Sequence, residues 1–122
     1  MLISVRDGRS STNADTTPAK RINPEEIFGP VASPIRARDF DHAVANAVPS
    51  GLSRSIRTRS LTHAATFRRR SRAGMVMVSL PTAGVDYHAP FGGRKASSYG
   101  PREQGRYAME FYTTVRTPDI AP

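Results

Sequence analysis

The feature that most constrains the fold of this chain is the apolar run "MVMVSL" at residues 75–80. A run in which nearly every residue is apolar is typical of a strand that is covered on both faces. Residues 60–74, "SLTHAATFRRRSRAG", come directly before it and read as a helix, with Ser60 as N-cap and Gly74 as the stop. A helix that leads into a buried strand predicts a parallel β-sheet covered by helices.

Weaker elements come before this pair. Strand-like residues at 31–38 carry Pro34, which removes a ladder donor and predicts an edge strand, a bent strand or an interrupted one. Residues 39–48 read as a short helix capped by Asp39. A weak strand then follows at 52–58, so strands and helices alternate up to the apolar run.

The C-terminal part continues the alternation after a long loop. A segment rich in Gly and Pro spans 81–101, and a helical stretch interrupted by Gly105 follows at 102–110. Residues 111–117, "FYTTVRT", are aromatic and β-branched and predict a final strand. The order β-α-β-α-β, then a loop, a short helix and a strand, predicts an α/β fold. The last strand lacks a partner in this order, which favours pairing with another chain.

Composition and charge exclude several classes of function. The chain has no cysteine, so it supplies no disulfide, no thiolate metal ligand and no thiol nucleophile. No apolar run approaches the ~20 residues of a membrane span, and the N-terminus does not resemble a secretory signal, so we expect a cytoplasmic location. The net charge is +8, with "RRRSR" at 68–72. Nucleic-acid binding is one reading of this charge. A solvated helix end is favoured because aromatic residues for stacking are scarce nearby.

The glycine-rich stretch "DYHAPFGGRKASSYGPREQGR" at 86–106 raises the question of a phosphate site. Its glycines and Lys95 do not have the spacing of a P-loop, and no dinucleotide-binding pattern is present. The favoured reading is that Gly92 and Gly93 allow tight backbone geometry beside a packed Phe91. The chain's three histidines have no acidic cluster at metal-ligand spacing, so no metal site is expected.

A second dense motif, "PEEIFGPV", lies at 24–31. It places carboxylates next to an aromatic ring and a Gly-Pro turn. A carboxylate suits the vicinal hydroxyls of a ribose, and a neighbouring ring could pack on a flat heterocycle. Spacing alone leaves the role of this motif open.

Both motifs resemble the C-terminal part of aldehyde dehydrogenases. Residues 25–31, "EEIFGPV", are similar to the family's Glu-x-Phe-Gly-Pro motif, and residues 90–97 keep its "PFGG.K.S" signature. The wording of "LPTAGVDYH" and "GPREQGRYAMEFYTTV" resembles the branch that includes alpha-ketoglutarate semialdehyde dehydrogenases. The similarity extends from about Thr16 to Ile120, which is nearly the whole chain.

The resemblance implies an oxidoreductase that uses NAD or NADP to convert an aldehyde into a carboxylate. By resemblance, Glu26 holds the nicotinamide ribose and Phe28 packs near the nicotinamide. Thr82, Ala83 and Phe91 fall where the family lines its substrate tunnel. No catalytic residue of the family matches a position in this chain.

Several positions depart from the family pattern. Ser79 stands where the family usually has asparagine, and Arg54 and Arg57 lie in a strand that is normally small and apolar. The family's cysteine nucleophile, general-base glutamate and Rossmann-type cofactor domain all lie upstream of the matched segment. The resemblance therefore implies a truncated C-terminal segment that is inactive by itself and binds neither cofactor tightly.

The resemblance also predicts how the chain is divided and what it binds. Residues 1–23 are expected to form a flexible lead-in, 24–110 a partial catalytic domain, and 111–122 an oligomerisation-type strand and tail. Expected partners are an aldehyde dehydrogenase subunit, the product of a split gene, or a second copy through 111–117, and no membrane. Two alternatives remain: an interaction module that pairs with a full-length aldehyde dehydrogenase, and, least favoured, a basic nucleic-acid-binding protein.

Overall fold

Short strands and short helices alternate along the described part of the chain. The computed structural model describes residues 11–12, 16–29, 31–45 and 48–121. In chain order, the elements are β1 (Ser11–Thr12), β2 (Val31–Ala32), α1 (Phe40–Ala45), β3 (Ser53–Ile56), α2 (Leu61–Arg70), β4 (Met75–Val78) and α3 (Ala108–Tyr112), with 3-10 turns at Lys95–Ser97 and Gly105–Tyr107.

The central unit is a parallel pair of strands joined by a helix. β3 and β4 are parallel, with Ser53 opposite Met75 and Ile56 opposite Val78, and α2 connects them. The predicted mixture of helices with a parallel sheet is therefore confirmed for this unit. A parallel pair needs a crossover connection, and a helix supplies it while packing on the sheet.

Helix α2 begins as predicted and ends earlier. The Ser60 side chain accepts a hydrogen bond from the His63 amide at 3.2 Å, which is the N-cap that the sequence predicts. The helix ends at Arg70 rather than near Gly74. Gly74 instead directly precedes β4, and its amide donates to the Gly51 carbonyl at 2.8 Å.

The spacing of Leu61, Ala64, Ala65 and Arg68 predicts that these residues share one face of α2, and the buried side of the helix differs from this face. Leu61, in its first turn, is 87% exposed, whereas Phe67 is buried. Phe67 is the buried residue of α2, and both α1 and β4 pack against this helix.

Arg54 of β3 joins α1 to α2. Its guanidinium donates to the Val44 carbonyl at 3.0 Å and the Ala43 carbonyl at 2.6 Å, both in the last turn of α1. It also lies over the Phe67 ring, 5.6 Å from the centroid. Burial lowers the pKa of Arg54, but a guanidinium stays charged in proteins. Arg54 thus links β3 to α1 and to the buried ring of α2.

Helix α1 is shorter than the predicted 39–48 helix. Asp39 caps it as expected, since its carboxylate accepts from the His42 amide at 2.7 Å. The helix extends to Ala45, and the predicted positions 46 and 47 lie outside the described residues.

The segment around β1 and β2 is held by side-chain hydrogen bonds. Thr16, which is buried, lies 2.8 Å from the Ser33 hydroxyl and donates to the Pro34 carbonyl at 3.1 Å. The Ser33 hydroxyl in turn donates to the Asn23 side chain. The predicted interruption at Pro34 is confirmed, because only Val31–Ala32 of the 31–38 stretch is a strand.

The predicted flexible lead-in contains structure within its described part. Residues 11–12 form β1 and pair in parallel with β2. Backbone hydrogen bonds then fold 17–25 into consecutive turns. A strand of two residues is stabilised by its partner strand, which a reading of polar, turn-rich residues does not reveal.

The predicted final strand at 111–117 is wrong for its first two residues. Its remaining residues have no partner strand in the described part of the chain. Phe111 and Tyr112 belong to α3, and no strand is assigned to the described residues 113–121. A strand is stabilised by its ladder partner, which no other described segment supplies here. The predicted helix at 102–110 is corrected as well, because Glu103 pairs with Phe91 in an antiparallel bridge and helical structure begins at Gly105.

The core of the described residues is small. Five apolar residues are buried: Ala32, Val44, Phe67, Ala73 and Met75. Many larger apolar side chains are exposed, including Leu61, Leu80, Tyr99, Met109 and Val115. None of the helices among the described residues has the length and apolarity that a membrane crossing requires.

Candidate functional site

The first candidate group, Glu26 and Phe28, comes directly after the turns at 17–25. The Arg21–Glu25 ion pair lies within these turns. Arg21 and Glu25 form a two-point ion pair, with nitrogen–oxygen distances of 2.9 and 3.0 Å. This hydrogen bond to Glu25 raises the pKa of Arg21. The Glu25 amide also donates to the Arg21 carbonyl at 3.0 Å, so both the backbone and the side chain of Glu25 bind Arg21.

Glu26 and Phe28 are left available for other contacts. The Glu26 side chain is exposed, and no hydrogen bond to it is found among the described residues. The Phe28 ring is 93% exposed. A carboxylate with free lone pairs accepts hydrogen bonds from a diol, and an exposed ring offers a face to a flat heterocycle. The two side chains therefore offer a hydrogen-bond acceptor for a diol and a face for a flat ring.

Thr82 and Ala83 lie in the loop that follows β4, and both are exposed. Two contacts fix the start of this loop: the Ser79 amide donates to the Ile56 carbonyl, and the Ser55 hydroxyl donates to the Leu80 carbonyl, each at 2.7 Å. Ser79 adopts a left-handed conformation, with φ of 58°. These hydrogen bonds therefore fix the first residues of the loop against β3.

Phe91 is fixed more firmly than the other candidates. It exchanges two backbone hydrogen bonds with Glu103, at 2.7 and 2.9 Å, and its side chain is half-buried. The next residue, Gly92, approaches the chain at Gly74 so closely that a Cβ on Gly74 would lie 2.0 Å from the Gly92 carbonyl. The predicted role of the Gly-Gly pair in tight backbone geometry agrees with this contact.

The five predicted residues form two separate groups. Thr82, Ala83 and Phe91 lie on one loop segment, between β4 and α3. Glu26 and Phe28 belong to the turn before β2, and within the described ranges no hydrogen bond, ion pair or ring contact joins the two groups.

Other polar groups near the loop are structural. His88 lies 3.1 Å from the Asp86 carboxylate and makes an edge contact with the Tyr87 ring. No cluster of three metal-ligating side chains occurs among the residues that the structure describes.

Sequence reasoning missed Arg102, which lies against Gly74 and Gly92. A Cβ on either glycine would come within 2.8 Å of its Nη1 atom. This atom is buried and finds no hydrogen-bond partner in the described part of the chain. No local pattern marks such a residue, because its neighbours are distant in sequence.

Comparisons with known proteins bear on the identity of both motifs. The model of the aldehyde dehydrogenase family matches residues 11–118. An alpha-ketoglutarate semialdehyde dehydrogenase of Haloferax volcanii is 46% identical over 106 residues, which cover 84% of this chain and 22% of the relative. An alpha-ketoglutaric semialdehyde dehydrogenase of Bacillus subtilis is 40% identical over 110 residues, covering 88% of this chain and 22% of the relative.

The structure agrees with the sequence match. The crystal structure of an NAD-dependent aldehyde dehydrogenase from Sinorhizobium meliloti superposes with a TM-score of 0.75 at 36% identity, covering 88% of this chain and 22% of that one. The chain thus spans about a fifth of the length of the relatives it matches. The resemblance predicted from the two motifs is confirmed: the chain belongs to the aldehyde dehydrogenase family.

Proposed function

We propose that this chain supplies the C-terminal part of an aldehyde dehydrogenase active site, with residues 24–110 as a partial catalytic domain. The observation that carries the proposal is the family match over residues 11–118, which includes both motifs. The free carboxylate of Glu26 and the exposed ring of Phe28 support a role at the cofactor.

In this proposal the cofactor is NAD or NADP, which accepts a hydride from the substrate when it is bound. Glu26 accepts hydrogen bonds from the nicotinamide ribose, and Phe28 packs near the nicotinamide. Charge-assisted hydrogen bonds from a diol orient the sugar, and thereby the ring that it carries. A related solved structure is described as NAD-dependent, so NAD is the first cofactor to test.

On the substrate side, Thr82, Ala83 and Phe91 line the path of the aldehyde. The bridge to Glu103 fixes the position of Phe91, while the small side chains of Thr82 and Ala83 leave room. Relatives in the comparison act on alpha-ketoglutarate semialdehyde, according to their names, which makes it the first substrate to test.

Residues outside this segment must complete the site. The 122 residues contain no cysteine, so in this proposal the thiol that attacks the aldehyde lies outside them. The proposed partner is an aldehyde dehydrogenase subunit or split-gene product that contains the cofactor domain. We expect the isolated chain to be inactive and to bind NAD or NADP no more than weakly, and we expect the assembled protein in the cytoplasm.

Complementation tests this proposal. The Bacillus subtilis relative, without the C-terminal fifth that this chain matches, is coexpressed with the chain and assayed for NADH formation from alpha-ketoglutarate semialdehyde. We expect activity only in the coexpressed pair. Restoration by the relative's own C-terminal fifth, but never by this chain, would overturn the proposal.

Two variants then test the cofactor role. Glu26→Gln weakens the hydrogen bonds to the ribose and should raise the KM for NAD about tenfold, the effect of losing one charged hydrogen bond. Glu25→Gln is the matched control, because Glu25 pairs with Arg21 and faces no cofactor in the proposal. An equal effect of both substitutions would contradict the assignment of Glu26.

A second candidate function is an interaction module that pairs with a full-length aldehyde dehydrogenase. It is favoured by residues 113–117, which have no strand partner in the described part, and by Val115, which is 98% exposed. Copurification with an intact relative should succeed for the natural chain and fail for Val115→Pro, since proline removes a ladder donor. Equal retention of both forms would argue against this function.

A further inference from the structure

A dense set of hydrogen bonds joins two segments that are far apart in sequence, residues 48–51 and 94–97. The Arg94 amide donates to the Gly51 carbonyl at 3.0 Å, and the Ala96 amide donates to the Pro49 carbonyl at 3.3 Å. In the opposite direction, the Gly51 amide donates to the Ser97 hydroxyl at 2.8 Å. We call this contact the loop–turn junction.

The Lys95 ammonium is the charged member of the loop–turn junction. Its Nζ atom donates to the Val48 carbonyl at 2.7 Å and lies 3.4 Å from the Ser50 carbonyl. No carboxylate pairs with it among the described residues. A backbone carbonyl accepts a shorter, stronger hydrogen bond from an ammonium group than from a neutral donor.

The backbone conformation of Lys95 indicates that contacts within the loop–turn junction hold it in place. Lys95 has a φ of 56°, a left-handed conformation that is unfavourable for a residue with a Cβ. Gly93 approaches Ser97 so closely that a Cβ on Gly93 would lie 2.9 Å from the Ser97 Cβ. A strained residue persists only where surrounding contacts hold it, and the two carbonyls bound by Lys95 are such contacts.

We propose that Lys95 is a positioning residue whose ammonium holds the 94–97 segment on the 48–51 turn, and so fixes the loop that carries Phe91. The signature lysine therefore acts on the chain's own carbonyls. This inference concerns the chain by itself and does not depend on the proposed enzymatic function.

The absence of cysteine from the chain permits a direct chemical test. Lys95→Cys introduces a single thiol, and alkylation with 2-bromoethylamine then rebuilds a lysine-like side chain that ends in an ammonium. Amide hydrogen exchange measured by NMR at Gly51 and Ala96 reports on the junction. Amides of Met75 and Ser79, which donate to the carbonyls of Leu52 and Ile56, report on the β3–β4 sheet.

We expect Lys95→Cys to raise the exchange rates of Gly51 and Ala96 about tenfold, the fold-change that corresponds to one charged hydrogen bond. Aminoethylation should restore the slow exchange, while alkylation with a propyl group, which has the same length and no charge, should not. The Met75 and Ser79 amides should change little in all three forms.

Arg94→Cys is the matched control, because Arg94 is the exposed neighbour and no hydrogen bond of its side chain is found in the described ranges. Aminoethylation of this variant should leave the exchange at Gly51 unchanged. The proposal is overturned if the propyl form protects Gly51 as well as the aminoethyl form does. Equal deprotection of the Ser79 amide, or an unprotected Gly51 amide in the natural chain, also overturns it.

Discussion

Removal of the Arg54 guanidinium is the sharpest test of how this small fold is held together. Arg54→Met keeps most of the length and the apolar stem of the side chain while deleting every hydrogen-bond donor. It breaks the contacts to the Ala43 and Val44 carbonyls and the contact with the Phe67 ring. Helix α1 then loses its connection to β3.

The expected loss of stability follows from these contacts. A hydrogen bond to a charged group contributes about 1.5–3 kcal/mol, and a partly exposed cation–π contact contributes about 0.5–1 kcal/mol. Water can replace the guanidinium at the carbonyls of a surface helix, and the two hydrogen bonds share one charge. We therefore expect Arg54→Met to lower the free energy of unfolding by about 2–3 kcal/mol.

Urea unfolding followed by circular dichroism measures this change, with sulfate present to stabilise the natural chain. Arg57→Met is the matched control, because it removes the same charge from an exposed residue next to β3. Surface substitutions of this kind change stability by less than about 0.5 kcal/mol. The guanidinium stays charged although burial lowers its pKa, so the difference should persist at any near-neutral pH.

A particular result refutes the reasoning about Arg54. If Arg54→Met and Arg57→Met shift the urea midpoint equally, the carbonyl contacts contribute no net stability. The free energy lost by desolvating the half-buried guanidinium would then equal the free energy that its hydrogen bonds contribute.

Two further substitutions probe backbone geometry by the same unfolding measurement. Gly74→Ala should destabilise the chain by about 3 kcal/mol or more, because its Cβ would lie 2.0 Å from the Gly92 carbonyl. Gly29→Ala is the control: a Cβ there would meet no atom within 4 Å, so the free energy of unfolding should change by less than about 0.5 kcal/mol. Equal urea midpoints for the two variants would contradict the close approach at Gly74. Ser79→Asn should stabilise the chain by about 0.5–1 kcal/mol, because asparagine tolerates the left-handed conformation at φ 58° better than serine does. Ser79→Thr should destabilise it, and the reverse order would contradict the conformation at this residue.

Local chemistry explains the predictions that succeeded. Ser60 and Asp39 cap helices because their side chains reach amides only three residues away, so the sequence alone identifies them. The strand at Met75–Val78 was predictable because a short, nearly continuous apolar run is typical of a strand that is covered on both faces. Both family motifs were readable for the same reason, since each is a contiguous set of residues.

The errors share a different cause. The predicted strand at 111–117 is helical over Phe111 and Tyr112, because β-propensity alone does not decide the conformation of a segment that has no neighbouring strand. The early part of α2 looks apolar at Leu61, yet this residue is exposed while Phe67 is buried. Which face is covered depends on the elements that pack against it.

The sequence by itself determined the family, the β3–α2–β4 unit and the caps of two helices, because each depends on contiguous residues or on a fixed helical or strand spacing. Only the tertiary structure decided that Arg54 binds the end of α1, that Arg102 lies against two glycines and that Lys95 binds the carbonyls of the 48–51 turn. Each of these contacts joins residues that are far apart along the chain. Their partners are backbone atoms, which every residue carries, so no side-chain pattern in the sequence could mark them.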